Sequence, residues 1–169
     1  MAAGIEMTFD GLNAALKEYA EEVRALYRQR LILDDKYATG KLIQNLKTYV
    51  KAKGVKYEVG LYLMDYWKYV EEGRGPGKFP PPDKILEWIK IKPVLPDPDK
   101  DGRIPTPEQL SFLIGRKIAD SGITAGHQLK ETVQQVNARW LPKLQQALQD
   151  DFEGYVIRVF EKAMKLVKI

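Results

Sequence analysis

The spacing of apolar residues changes along the chain, and those changes predict its elements. From residue 8 to about residue 32, Phe9, Leu12, Leu16, Tyr19, Val23, Leu26 and Tyr27 recur at three- and four-residue steps, the repeat of one helix face. Neither Pro nor an interior Gly beyond Gly11 interrupts this run, which predicts a long amphipathic helix. After the linker LILDDKYATG, the stripe Leu42, Ile43, Leu46 and Val50 predicts a second helix over about 39–52, with Thr39 as N-cap and Gly54 closing it. The period then becomes two. Val55, Tyr57, Val59, Leu61 and Leu63 alternate with Lys56, Glu58, Gly60, Tyr62 and Met64, the pattern of a half-buried strand. A lone strand leaves its backbone donors and acceptors unmet. The candidates for pairing within the chain are residues 66–71 and 155–160, either of which also fits a helix. A neighbouring subunit's strand is the other way to complete the sheet.

In EGRGPGKFPPPDK, Gly73, Gly75, Gly77, Pro76, Pro80, Pro81 and Pro82 forbid regular structure. The aromatic residues before it, and Phe79 within it, point to a loop packed against something. A short helix is expected from Asp83, as N-cap, to about Ile91, with Ile85, Leu86, Trp88 and Ile89 as its apolar residues. KPVLPDPDKDGRIP is irregular. Thr106 then opens a helix with Pro107 at its first position and Gln109 completing a capping box, and Leu110, Leu113, Ile114 and Ile118 carry it to Gly122. The last third reads as helix over about 125–138, a break at Trp140 and Pro142, and a final helix bearing Leu144, Leu148, Phe152, Val156, Val159, Phe160, Met164 and Val167, with a bend at Gly154. The expected fold is α+β and predominantly helical, with long helices on a small antiparallel sheet and a helical C-terminal third. Residues 1–122 form the α+β part and 123–169 a helical extension of the same compact unit.

At 169 residues, 44% of them hydrophobic, the chain is long enough to bury a core as one domain. No apolar run reaches the ~18 residues of a membrane span. MAAGIEMTFDGL lacks a basic region followed by an apolar one, so no signal peptide is expected. With no cysteine there are no disulfides, thiol nucleophiles or thiolate metal sites, which fits assembly in a reducing cytoplasm. The net charge of +4 is mild, with a local excess at Lys36, Lys41, Lys47, Lys51, Lys53 and Lys56. The plain reading of that stripe is a solvated helix face. The alternative is a surface for DNA phosphate or an acidic protein.

Catalytic constellations are lacking. In EGRGPGKF the spacing of Gly73 and Gly77 and the Phe79 after Lys78 do not make a phosphate loop, and no helix start follows directly. His127 is the lone histidine and reads as a cap or surface residue. Glu71–Glu72 and Asp150–Asp151 are sequence neighbours whose side chains diverge, whereas acid–base work needs convergent groups. No enzymatic role and no required cofactor are expected. The sharpest chemical pattern is DPDKDGRIPTPE. Asp97, Asp99 and Asp101, then Gly102, the Arg103 carbonyl, Ile104 and Glu108 fall at the offsets of an EF-hand calcium loop. Against it stand Pro93 and Pro96 on the entering side, Pro98, Pro105 and Pro107 within the loop, and the absence of a second copy to pair with. If Ca²⁺ binds there, its expected role is to order the loop. The aromatics Tyr57, Tyr62, Tyr66, Trp67, Tyr69, Phe79 and Trp88 read as a core cluster covering one sheet face, although Tyr and Trp also favour interfaces. Single-stranded nucleic acid is the other ligand such rings suit, but the interleaved Glu58, Asp65, Glu71 and Glu72 keep it from leading.

A resemblance adds a functional expectation. Ala38-Thr39-Gly40-Lys41-Leu42, the strand at residues 59–63, and Asp65-Tyr66-Trp67-Lys68-Tyr69-Val70-Glu71-Glu72-Gly73-Arg74-Gly75-Pro76-Gly77-Lys78 resemble neck and tail-completion proteins of tailed bacteriophages, the lambda-like minor tail family. The shared order is a helix opening on a small–Gly pair, a strand, a Tyr-x-x-Tyr-x-Glu-x-Gly motif and a Gly/Pro loop. Pro80-Pro81-Pro82-Asp83-Lys84-Ile85-Leu86-Glu87-Trp88-Ile89 and the helix from Gln109 to Ile118 look most like versions from phages of Bacteroidetes, including crAss-like ones. The likeness covers about residues 36–122 and leaves the calcium-like loop outside its motifs. It implies a non-catalytic structural subunit of a homo-oligomeric ring in the head–tail connector, meeting portal or adaptor and tail proteins, with passing contact with DNA and no membrane or small-molecule substrate. It implies location in the virion after assembly in the bacterial cytoplasm. The expected interface residues are Tyr66, Trp67, Tyr69, Glu71, Gly73, Arg74, Lys78 and Phe79. The alternatives are a DNA-contacting basic module or a calcium-stabilised interaction domain.

Overall fold

A computed structural model describes residues 6–34, 40–54, 56–64, 67–92, 94–98 and 100–166. The elements are α1 (Asp10–Leu33), α2 (Lys41–Gln44), β1 (Lys47–Lys53), β2 (Lys56–Tyr62), α3 (Trp67–Glu71), α4 (Pro82–Ile91), α5 (Pro107–Ser121) and α6 (Gln128–Leu166). The fold is α+β and mainly helical, with one small antiparallel sheet and a long C-terminal helix. Contacts divide the chain into two compact units that interleave in sequence: Met1–Leu26, Lys47–Tyr62 and Glu131–Ile169 in one, Tyr27–Leu46 and Leu63–Lys130 in the other.

In the first unit, Leu16, Ala20 and Val23 form the buried stripe of α1, and Val136 and Trp140 are buried on α6. The Tyr19 and Trp140 rings meet edge to face at 6.2 Å, and the Tyr19 hydroxyl donates to Asn137 Oδ1 at 2.7 Å. Burial raises the Tyr19 pKa above the ordinary tyrosine value. The Trp140 indole N–H donates to the Glu22 carboxylate, which also pairs with Arg139 at 2.6 Å. The hairpin β1–β2 pairs antiparallel from Lys47 opposite Tyr62 to Lys53 opposite Lys56. The edge-to-face pair Phe9–Tyr57, at 6.3 Å, joins β2 to the residue before α1. The Thr48 hydroxyl donates to the Glu21 carboxylate. That bond, with Arg24 beside it, lowers the Glu21 pKa.

The helix expected over 39–52 is therefore corrected: α2 spans 4 residues, and residues 47–53 are strand. Thr39 lies outside the described residues. Leu42, Leu46 and Val50 do fit a helical repeat, but Thr48, Tyr49 and Val50 suit a pleated surface, and β2 supplies the ladder that makes the strand stable. Gly54, at φ 61, starts the hairpin turn. Residues 67–71 and 155–160, weighed as strand partners, are helical. The break at Trp140 and Pro142 is also absent, and α6 runs 39 residues through Pro142. A helical proline forfeits one N–H and crowds one carbonyl, a cost confined to one turn, while the apolar positions on both sides keep the helical repeat.

In the second unit, Ile85, Ile89 and Leu110 pack with Trp88, Val94 and Ile114 between α4 and α5. Ser111 Oγ donates to the Pro82 carbonyl at 2.9 Å. The capping box of α5 is as expected: Gln109 N–H donates to Thr106 Oγ1 at 3.3 Å and Thr106 N–H to Gln109 Oε1 at 3.0 Å. At α4 the expectation is corrected. Pro81 is the N-cap, with no side-chain cap, and Asp83 sits in the first turn, because Pro82 brings a φ already suited to a helix start. Tyr27, Leu31, Leu42 and Leu46 are buried here. Among the described residues, no helix is long and apolar enough to cross a membrane.

Candidate interaction site

The segment that carries the family resemblance is a structural staple within the second unit, and it leaves an exposed rim. Glu71 ends α3 with 6% of its surface exposed. Its carboxylate accepts the backbone N–H groups of Leu129 at 2.9 Å and Lys130 at 2.8 Å. These are free donors of the first turn of α6, and an anion there also meets the positive end of the helix dipole. The Glu71 carbonyl accepts from Gly126 N–H at 3.1 Å and His127 N–H at 3.0 Å. His127, expected as a cap or surface residue, is exposed at the start of α6 and has φ 57. Nearby, Gln128 Nε2 donates to Asp34 Oδ2 at 3.0 Å.

Gly73 has φ 71, and beyond it Arg74 and Ile123 exchange backbone hydrogen bonds of 2.9 and 2.7 Å. Gly77 N–H donates to the Ala119 carbonyl at 2.8 Å, and the Arg74 guanidinium donates to the Lys78 carbonyl. The glycine-rich loop is thus tied to the end of α5, as the expectation of a packed loop required. Phe79 lies over Gly115, where a Cβ would fall 2.4 Å from its ring, and meets the Phe112 ring at 5.5 Å.

The expected interface residues separate accordingly. Glu71 and Gly73 serve the interior, and Trp67 and Arg74 are half-buried. Tyr69, Lys78 and Phe79 are exposed, with the exposed Phe112 ring beside Phe79. Tyr66 lies outside the described residues. The aromatics expected as one sheet-covering cluster are instead spread out: Tyr57 against Phe9, Tyr62 against Tyr49, Phe79 against Phe112 and Trp88 in the α4–α5 core.

The tyrosine hydroxyl of Tyr27, with the residue 0% exposed, has no hydrogen-bond partner among the described residues. Burial, and then the Glu71 charge, hold its pKa far above the usual tyrosine range. Because an unfolded tyrosine ionises near ~10 while the buried one stays neutral, the folded state loses stability relative to the unfolded one as pH rises past that value, and below it the group adds no pH dependence. Tyr27→Phe removes a buried, unpaired hydroxyl and is expected to raise stability by about 1 kcal/mol at neutral pH. It should also flatten the alkaline fall-off. Urea unfolding at neutral pH and above ~10 measures both.

The calcium-like loop shows the sharp turn expected at Gly102, φ 75, and Thr106 begins the exiting helix. On the entering side α4 ends at Ile91, so residues 92–96 intervene before Asp97. Among the described residues, no group of His, Asp or Glu gathers in a way that could hold a metal ion. Asp99 lies outside the described residues. Asp97, Asp101, Arg103 and Glu108 are all exposed.

The lysine stripe is rearranged by the hairpin: Lys47, Lys51 and Lys53 lie on β1 and Lys56 on β2, and Lys36 lies outside the described residues. A further surface had no motif to mark it. Along α6, Leu141, Leu148 and Phe152 are exposed on one stripe and Ile157, Phe160 and Met164 on another, Phe160 by 66% and Met164 by 73%. Ile157, Phe160 and Met164 line an open hollow with Glu161 and Lys165. Their helical spacing was legible, but which face stayed bare depended on what α1 covers. Comparison with protein-family models, with curated proteins and with solved structures finds no match.

Proposed function

We propose that this chain is a non-catalytic structural subunit of a tailed-bacteriophage virion, assembling with copies of itself in the ring that joins head to tail and meeting portal or adaptor and tail proteins there. The family resemblance supplies the class. The observation that supports it physically is the exposed apolar stripe of α6 at Ile157, Phe160 and Met164, since exposed apolar side chains gathered in this way mark a protein–protein interface. A ring needs heterologous contacts, one patch docking on a different patch of the next copy. The exposed ring pair Phe79–Phe112 in the other unit is a second apolar surface available for such a contact.

Light scattering on the purified protein, alone and mixed with portal or adaptor, tests the reading. The expected result is a discrete oligomer, alone or in the mixture. The pair Ile157→Glu and Phe160→Glu on this stripe should reduce it to monomer with unchanged helical circular dichroism. A strict monomer that binds no virion component would sink the proposal.

A further inference from the structure

The hairpin sorts its residues by face. On one face Thr48, Val50, Tyr57, Val59 and Leu61 are half-buried, with Thr48 and Tyr57 joined to α1 and Phe9. The register places Lys47 beside Tyr62, Tyr49 beside Gly60, Lys51 beside Glu58 and Lys53 beside Lys56 on the other face. The lysines there are exposed, and Tyr62 is 52% exposed.

The aromatic pair on this face is held in place. Tyr49 and Tyr62 have ring centroids 4.8 Å apart. The ring of Tyr49 lies across Gly60, where a Cβ would fall 2.5 Å from its hydroxyl oxygen. That hydroxyl donates to the Glu58 carboxylate at 2.9 Å, and the Lys51 ammonium sits 4.6 Å from the ring centroid. The single acidic group of the face is thus engaged with Tyr49, and Lys47, Lys51, Lys53 and Lys56 surround a positioned ring pair. Rings bordered by cations are the two components of sequence-tolerant single-strand binding: stacking for bases, charge for phosphates.

We infer that the outer face of the β1–β2 hairpin binds single-stranded nucleic acid, with Tyr62 as the stacking platform and Lys47, Lys51, Lys53 and Lys56 on the phosphates. An acidic protein surface would use the lysines but has no base to lay on Tyr62. A duplex keeps its base faces covered. This inference stands apart from the ring reading, and its test does not depend on oligomer formation.

The test is fluorescence anisotropy of the full-length chain with labelled oligothymidylate, a labelled blunt duplex and a labelled polyglutamate of similar charge. If four phosphates are neutralised, affinity for the single strand falls about fiftyfold between 50 and 200 mM salt, and only about sevenfold for the variant carrying Lys51→Glu and Lys53→Glu. Tyr62→Ala should weaken oligothymidylate about tenfold with the salt slope unchanged, leaving polyglutamate binding as it was. Tyr62→Leu, which keeps an apolar cross-strand neighbour for Tyr49, should behave like Tyr62→Ala if stacking is the cause. Unchanged circular dichroism and melting temperature confirm that the variants fold. The inference is overturned by no oligothymidylate binding at 50 mM salt, by equally tight duplex binding, or by polyglutamate binding as tight as the strand with Tyr62→Ala without effect.

Discussion

Glu71→Ala is expected to lower folding stability by about 3–5 kcal/mol, and the melting temperature by about 10 °C. The carboxylate accepts from Leu129 and Lys130 N–H in part-buried hydrogen bonds, and a donor shielded from water that loses its acceptor costs about 1–3 kcal/mol. Loss of the negative charge at the first turn of α6 adds to this. Glu71→Gln should fall between wild type and Ala, because its carboxamide offers one oxygen to two donors and turns an NH₂ toward the second. Hydrogen exchange gives the specific signature: the Leu129 and Lys130 amides should lose protection ahead of their neighbours further along α6. A loss below 1 kcal/mol with both amides still protected would show that the carboxylate does not hold this helix start.

Parts of this fold were readable locally and parts were not, for a physical reason visible in particular residues. The long α1, the β2 alternation and the Thr106–Gln109 capping box depend on neighbours a few positions away, and each formed as its pattern predicted. Residues 47–53 carried two local patterns at once, the helical spacing of Leu42, Leu46 and Val50 and the strand-favouring run Thr48, Tyr49 and Val50. The outcome turned on β2, which offers a complete ladder across a turn at Gly54. That single reassignment turned a lysine stripe read as a helix face into one face of a hairpin. Glu71 had no local signal, since its partners lie 58 and 59 residues downstream. A clue lay at the other end: α6 starts after Gly126 and His127, with no Ser, Thr, Asp or Asn to cap it. Such a start needs an acceptor from elsewhere in the chain. The bare face of α6 was also nonlocal, because helical spacing gives the stripes of a helix without naming the one that a partner element covers.

Gly73→Ala and Gly122→Ala should each cost about 4 kcal/mol, for a reason that can be separated from ordinary turn geometry. Both residues have positive φ, 71 and 74, which alone costs a side chain about 1–2 kcal/mol. The larger part comes from two backbones passing at close range. A Cβ on Gly73 would fall 2.3 Å from the Ile123 carbonyl oxygen and 2.6 Å from Ala125 N, while one on Gly122 would fall 2.1 Å from the Arg74 carbonyl oxygen. These are backbone atoms, so relief requires parting the segments, and the Arg74–Ile123 hydrogen bonds go with them. Gly102 has the same left-handed φ, 75, with open space around it, so Gly102→Ala should cost only about 1 kcal/mol. A Cβ on Gly75 would meet nothing within 4 Å, and its φ is not positive, so Gly75→Ala should stay within about 0.5 kcal/mol of wild type. The double variant Gly73→Ala with Gly122→Ala should cost less than the sum of its parts, because the first substitution already separates the strands that the second would push apart. Chemical denaturation of this set orders the variants directly. Equal losses for Gly73→Ala and Gly102→Ala would leave φ as the whole effect and remove the close approach as the reason for glycine in this loop.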